Sequence, residues 1–355
     1  MTADHRLLAV LNGRAAARAQ IGGVERWARE MTARLPRLRP GAYAVATPPR
    51  ALAHRAGHAW EQAVLPALAA RRRAALVYSP ANLAPVAWPR NVVVLHDVAA
   101  LRHPDWYSPA YVAWQRRIVP AVARRARALV TVSEFSRAEI ADTLDLDPAG
   151  IAVIPGGVDE RFTPDGDADA ARRALRLDRP YVLTLATRYP RKNQGALAAA
   201  ARRLAELGID LVAAGGERPH MRGEASVAGV RELGYVPDEL LPGLFAGARA
   251  FVLVSRDEGF GLPCLEAMAA GVPVVAADSG ALPETCGGAA LLVDPDDADA
   301  IADALATVAS DGGAARERLR TAGPVRAAGL TWQRAAQDTD ALLLRVAAHP
   351  PPGHA

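Results

Sequence analysis

Short apolar runs, too short and too rich in β-branched residues to be helices, recur along the chain. In the first half they are Leu7–Leu11, Tyr43–Ala46, Leu76–Tyr78, Val92–Leu95, Leu129–Val132 and Ile151–Ile154. In the second half they are Tyr181–Ala186, Asp210–Ala214, Leu233–Val236, Phe251–Val254, Val272–Ala276 and Ala290–Val293. Unbroken apolar runs of this length, bounded by turn residues, predict buried strands. Helical stretches alternate with them. These run from Gly22 through Leu35, over Ala59–Arg73, and over Tyr107–Ala126 with an interruption at Pro120. Others run from an N-cap at Ser133 through Leu144, up to Leu207, over Asp238–Ala246 and over Leu262–Ala270. The last three begin near Asp296, at Ala314 and at Thr331. Strand–helix alternation in both halves predicts two doubly wound α/β domains whose carboxyl edges face each other across a cleft.

A Pro-, Gly- and Asp-rich stretch from Thr163 to Asp169 marks the boundary. Residues 1–165 are therefore expected to form one domain, 166–330 a second, 331–348 a final helix and 349–355 a mobile, proline-bearing tail. No internal repeat is visible.

Composition narrows the picture. The chain has 355 residues, 51% of them hydrophobic, which is enough for two cores. A net charge of +4 suits anionic ligands without indicating nucleic acid. Cys264 and Cys286 have neither metal-ligand spacing nor a disulfide framework, which suggests a reducing cytoplasm. The first residues carry no signal-peptide pattern, and no uncharged stretch is long enough to span a membrane, so a soluble or at most peripheral protein is expected.

The candidate chemistry centres on Ala250–Glu284. A buried strand runs into an acidic, glycine-rich loop, Asp257-Glu258-Gly259-Phe260-Gly261, which opens a helix at Leu262. Unpaired backbone N–H groups and the helix dipole make such a mouth attractive to anions. Glu258 lies at the mouth, and Glu266, eight positions on, lies about a turn inside, so both can face one pocket. A basic loop after Tyr181–Ala186 supplies Arg188, Arg191 and Lys192. Those cations and the amides of Gly259, Phe260, Gly261 and Leu262 are suited to clasping a diphosphate, and Glu266 to accepting from a ribose diol. Lys192 has a second reading as a solvated lysine at a helix start. Tyr235 and Val236, after Gly234, suit either a flat base or ordinary packing.

In the first half, Gly22-Gly23 between strand and helix fits a close approach to a ligand, or a plain turn. His96-Asp97 follows a parallel strand at the edge where ligands of open sheets gather, with a core histidine as the plainer reading. Arg116, Arg117, Arg124, Arg125 and Arg127 crowd one helix, either as a solvated face or as a surface for anionic lipid or a phosphorylated acceptor.

Several of these segments stand in a shared order: Gly22-Gly23-Val24, His96-Asp97, Ser133-Glu134-Phe135-Ser136, Pro190-Arg191-Lys192-Asn193, Gly234-Tyr235-Val236 and Glu258-Gly259-Phe260-Gly261-Leu262-Pro263. Together with the E-x7-E spacing of Glu258 and Glu266, they resemble the retaining, GT-B-fold glycosyltransferases of family 4 over nearly the whole chain. Leu101-Arg102-His103-Pro104 resembles the bacterial mannosyl- and rhamnosyltransferase branch.

The resemblance implies two Rossmann-like domains, an acceptor side and a nucleotide-sugar side, with the final helix crossing back to the first. It also implies retaining transfer of a hexose or deoxyhexose from a nucleoside-diphosphate sugar to a hydroxyl of a glycan, lipid-linked or small-molecule acceptor. His96, Lys192 and Glu258 would serve the reaction. Gly22, Gly23, Arg188, Arg191, Tyr235, Val236, Gly259, Phe260, Gly261, Leu262 and Glu266 would bind the donor. No cofactor or metal is expected, because the Asp-x-Asp triplets (Asp145/Asp147, Asp165/Asp167, Asp294/Asp296) sit where capping and turns favour Asp. The implied location is cytoplasmic, with peripheral contact at the inner face of a membrane left open.

Two departures stand out. Thr187 occupies the position where many relatives carry an arginine, and Gly156 replaces a usual asparagine. A sugar-nucleotide epimerase and a non-catalytic binding protein are the competing readings. A nicotinamide oxidoreductase lacks its dinucleotide fingerprint.

Overall fold

Parallel pairing of every neighbouring strand is what the unbroken apolar runs require, since strands buried on both faces have no polar side to expose. The computed structural model describes residues 7–49, 57–185, 188–216, 221, 223 and 225–349. Thr187 and residues 350–355 of the predicted tail lie outside them. In the first sheet the strands are β1 (Ala9–Asn12), β2 (Tyr43–Ala46), β3 (Leu76–Ser79), β4 (Asn91–Val94), β5 (Ala128–Thr131) and β6 (Ile151–Val153). The second holds β7 (Tyr181–Leu185), β8 (Asp210–Ala214), β9 (Val230–Gly234), β10 (Ala250–Leu253), β11 (Val274–Ala277) and β12 (Ala290–Val293).

The orders are β2-β1-β3-β4-β5-β6 and β12-β11-β10-β7-β8-β9. In each sheet the chain reverses its direction of travel once, between β1 and β3 in the first and between β7 and β10 in the second. Such a switch point leaves a crevice at the carboxyl ends of the two strands, where open α/β sheets bind ligands.

The chain forms two compact units. The first takes in residues up to Arg102, Val112–Gly156 and the chain from Trp332; the second takes in His103–Tyr111 and Gly157–Thr331. The stretch 157–165, assigned to the first domain from sequence, therefore packs with the second unit. Phe162 sits edge-on to Phe245 at 5.5 Å, and Val158 N donates to Leu330 O at 3.0 Å. The Pro- and Gly-rich stretch is a lead-in to the helix Ala168–Leu175, which Asp167 caps by accepting from Ala170 N at 2.9 Å.

Two other expectations need correction. The helix Pro109–Arg125 runs through Pro120 without a break. Burial of Val119, Val122 and Ala123 in the first core outweighs the one backbone hydrogen bond that proline removes. Strand β9 ends at Gly234 rather than continuing to Val236, because Gly234 turns the chain into the left-handed region at φ +67°. β9 is also an edge strand carrying Arg231 and Glu232, so it has no apolar run to read.

In the first unit, Val10 and Val77 pack with Trp60 and Leu65 on one side of the sheet. The helix Trp332–Ala348 completes this unit: Trp332 is buried edge-on to Trp27, and Asp340 receives Arg39 through two nitrogens at 3.0 and 2.7 Å. In the second unit Leu183, Phe251, Leu253, Leu265 and Met268 share one core, which fixes the helix Leu262–Ala269 against β10.

Candidate functional site

The basic loop leaves β7 and the acidic loop leaves β10, so the switch point of the second sheet brings them together. A backbone bond from Arg256 N to Arg191 O at 2.9 Å ties one loop to the other. Asn193 turns the basic loop in a left-handed conformation and donates through Nδ2 to Pro295 O at 2.7 Å. Between the tied loops, Lys192 Nζ donates to Glu258 Oε2 at 2.7 Å, and Arg191 Nη2 stands 4.0 Å from Glu258 Oε1. Arg191 Nε also donates to the Asp257 carbonyl at 2.7 Å.

The Glu258 side chain is only 14% exposed. Burial alone would push its carboxyl up. The charges of Lys192 and Arg191 outweigh that and hold it below the usual carboxylate range. Lys192 and Arg191 thus both face Glu258 beside a helix mouth, a setting that can offer two cations to a polyanion.

Behind Glu258 the chain comes very close. Ala281 N donates to Glu258 O at 2.8 Å, and a Cβ at Gly280 would stand 2.7 Å from Glu258 N. Gly280 also has φ +60°, so both backbone conformation and space call for glycine there. Gly261 precedes the helix Leu262–Ala269, and Thr285 Oγ1 donates to Phe260 O, fixing the loop over the helix start. Glu266 is buried in the middle of that helix. Gly259 lies in the same loop, between Glu258 and Phe260.

Other predicted donor residues are placed differently. Arg188 reaches across to β9, with Nε 3.5 Å from Glu232 Oε2, rather than to Glu258. Tyr235 follows β9 and is about half exposed, whereas Val236 is buried in the core. The sequence reading missed Gly280 and the role of Asp257, because both act through contacts with segments distant along the chain.

Gly22, Gly23 and His96 belong to the first unit. Gly22 N donates to Glu25 Oε2 at 3.0 Å, so the glycine pair opens the helix Gly23–Leu38 as a capped turn. Glu25 itself is buried and takes Arg18 Nη1 at 2.8 Å. The His96 ring packs edge-on to Trp27 at 5.7 Å, with Nε2 2.9 Å from Pro80 O. A carbonyl only accepts, so Nε2 carries a proton. His96 N donates to Asn82 Oδ1 at 2.7 Å, and its carbonyl accepts from Ser136 Oγ at 3.2 Å. Burial holds this imidazole below its ordinary range, and the Pro80 carbonyl and Asp97 offset only part of that effect. It is therefore a neutral, firmly oriented donor.

The aspartate triplets act locally. Asp147 and Asp167 cap helices, Asp145 ends one, Asp294 Oδ1 accepts from Asp296 N at 2.9 Å, and Asp296 pairs with Arg256. Among the described residues no cluster of three or more His, Cys, Asp or Glu side chains is placed to hold a metal ion. No described helix is long and apolar enough to cross a membrane.

Comparison with known proteins matches both units. The family described as "Glycosyltransferase Family 4" matches residues 21–162, and that described as "Glycosyl transferases group 1" matches residues 179–311. O-antigen chain mannosyltransferase B of Escherichia coli is 33% identical over 264 residues, which is 70% of this chain and 69% of that protein. A GDP-mannose-dependent alpha-(1-6)-phosphatidylinositol monomannoside mannosyltransferase of Mycolicibacterium smegmatis is 34% identical over 216 residues, covering 55% of this chain and 56% of its own length. Among solved structures, sucrose-phosphate synthase from Thermosynechococcus elongatus has a TM-score of 0.74 at 21% identity, covering 96% of this chain and 99% of that one. Anabaena HepE in complex with UDP and glucose has a TM-score of 0.69 at 18% identity, covering 95% and 99%. At these identities the structural likeness is one of fold, and that fold is GT-B.

Proposed function

Because the chain belongs to the family 4 glycosyltransferases, we propose that it moves a mannosyl residue from a nucleoside-diphosphate sugar to an acceptor hydroxyl, with retention of anomeric configuration. The observation that carries the reading is the Lys192–Glu258 pair at the switch point of the second sheet. A donor diphosphate takes over Lys192 and Arg191, aided by the amides of Gly259 to Leu262, and Glu258 is released to hold the sugar hydroxyls. Glu266 holds the ribose and Tyr235 lies by the base. The protein's part in the chemistry is positioning and electrostatic stabilisation of the leaving diphosphate, whose oxygens take the acceptor proton. Within the first unit, neutral His96 keeps its Nε2 proton on the Pro80 carbonyl, which leaves Nδ1 to accept from a ligand hydroxyl, and Gly22-Gly23 suits close approach of a ligand. No metal is needed, because cations and amides already answer the diphosphate charge.

Guanosine diphosphate mannose is the favoured donor. Relatives at 33% and 34% identity are named mannosyltransferases, one of them GDP-mannose-dependent. The uridine nucleotide in HepE, at 18% identity, weighs less. Rhamnose and glucose donors are the alternatives. The acceptor belongs to polysaccharide, glycolipid or glycoconjugate synthesis at the cytoplasmic side of a membrane. The exposed Arg116, Arg117, Arg124 and Arg125 of the helix Pro109–Arg125 supply a cationic face for anionic lipid.

Thermal-shift measurements with GDP, UDP and their sugars test the donor, since a matched nucleotide stabilises the folded state by mass action. Incubation with GDP-mannose in excess chelator, with the product's anomeric configuration read by NMR, tests the rest. Loss of all activity in chelator, an inverted product, or release of an epimerised sugar nucleotide without any acceptor each removes part of the proposal.

A further inference from the structure

The second unit includes a segment from the first half of the sequence, His103–Tyr111. Its anchoring is firm. Tyr107 is buried and forms an antiparallel bridge with Met221, and Tyr107 and Tyr111 stack at 5.6 Å. Residues 104–106 form a single 3-10 turn, closed by Tyr107 N donating to Pro104 O at 3.2 Å. The turn lays the His103 ring flat on Trp106, with centroids 4.0 Å apart and planes 15° apart. One residue earlier, Arg102 is held within the first unit by Glu139 and by Asp142 at 3.0 Å.

The stacked imidazole is thereby aimed at the acidic loop, with Nε2 3.8 Å from Asp257 Oδ2. That separation is beyond a hydrogen bond, so the attraction requires the imidazolium form. The charged groups around this contact are Asp257 itself, Arg191 on the Asp257 carbonyl, the Lys192–Glu258 pair one residue on, and exposed Asp105 within the turn.

We propose that His103 is a positioning residue of the transfer reaction. In its imidazolium form it holds the Asp257 carboxylate while Arg191 holds the Asp257 carbonyl, and the two grips together set where Glu258 meets Lys192. The inference rests on the reading of Glu258 and Lys192 as donor-binding groups. A partly exposed ion pair usually loses most of its value to the entropy of ordering its side chains. Here the ring is already fixed by Trp106 and the segment by Tyr107, so more of the attraction is kept.

The test separates charge from ring. His103→Phe keeps a ring on Trp106 without charge, whereas His103→Lys keeps charge without the ring. GDP affinity by titration calorimetry is expected to fall about fivefold in His103→Phe and to stay within about twofold of wild type in His103→Lys. In an Asp257→Asn background the His103→Phe effect should vanish, as coupled neighbours require. Hydrogen exchange of the amides in residues 255–262, read without ligand, should quicken in His103→Phe and not in His103→Lys. Unchanged exchange in His103→Phe overturns the proposal, and so does quickened exchange with unchanged GDP affinity. Equal damage in both variants also overturns it, because packing of the ring would then be the whole effect. If the wild-type protein binds neither GDP nor UDP, the donor reading of the preceding section fails, and the exchange measurement still decides whether His103 holds the loop.

Discussion

Lys192 and Glu258, 66 residues apart in sequence, neutralise each other across 2.7 Å at the carboxyl edge of the second sheet. The pair is asymmetric. Arg191 gives Glu258 a second cation at 4.0 Å, whereas Glu258 is the acid that Lys192 meets in this loop. Lys192→Ala and Glu258→Ala should each lower turnover by about two to three orders of magnitude, the usual range for losing one preorganised electrostatic group. Steady-state kinetics on variants with intact melting transitions provide the check. Near-wild-type activity in both would falsify the site assignment.

The same pair sets an acid limit. The folded carboxyl of Glu258 lies below its unfolded value, so its contribution to stability is present above about pH 4.3 and lost as pH falls through the folded value. Removing Lys192 takes away the largest influence that opposes burial. In Lys192→Ala the onset of acid unfolding should therefore move to higher pH, and adding Glu258→Gln should move it back. Melting temperatures recorded from pH 7 to pH 3 decide this, and an unchanged acid limb in the single variant contradicts it.

Gly280→Ala probes the floor of the site. The new Cβ would stand 2.7 Å from Glu258 N and 2.8 Å from Glu258 O, on a residue at φ +60°. Strain of roughly 1–3 kcal/mol is expected, relieved by displacing the Glu258 backbone. Donor affinity should drop along with stability. A variant that loses stability but binds nucleotide as wild type does would show that the displacement goes elsewhere.

His96 gives the opposite pH signature from a paired histidine. Its folded value is depressed, so the unfolded chain takes up a proton first as pH falls. Stability should decline below about pH 6.5 with a slope of at most about 1.4 kcal/mol per unit, until the folded value is reached. His96→Asn, which retains a donor for the Pro80 carbonyl, should flatten the profile between pH 6.5 and 5. Urea titrations at three pH values would expose a slope that does not change.

Much of the fold is legible because buried parallel strands announce themselves as apolar runs, and Tyr43–Ala46, Asp210–Ala214 and Ala290–Val293 have the bounds that were read. β9 is misplaced for the complementary reason, since an edge strand with Arg231 and Glu232 has no such run. Lys192 and Glu258 each stand just past a strand in sequence, which marks both as edge residues. Their meeting depends on β7 lying beside β10, and local pattern does not record strand order. Gly280 and the His103–Asp257 contact escape for the same reason. Each is defined by a neighbour far along the chain, and a glycine or histidine looks the same locally whether or not that neighbour exists.

The Arg39–Asp340 latch joins residues 301 positions apart, and Tyr43 adds its hydroxyl to the same carboxylate at 2.5 Å. The first unit therefore depends on a helix translated only after the entire second unit. At about 5–20 residues per second, the first sheet, with all its strands already made, must wait roughly nine to thirty-five seconds on the ribosome with the seat of Trp332 beside Trp27 still uncovered. The usual order of assembly is inverted: the unit begun first is finished last. A nascent chain stalled before residue 332 would expose a chaperone-accessible surface in its oldest part.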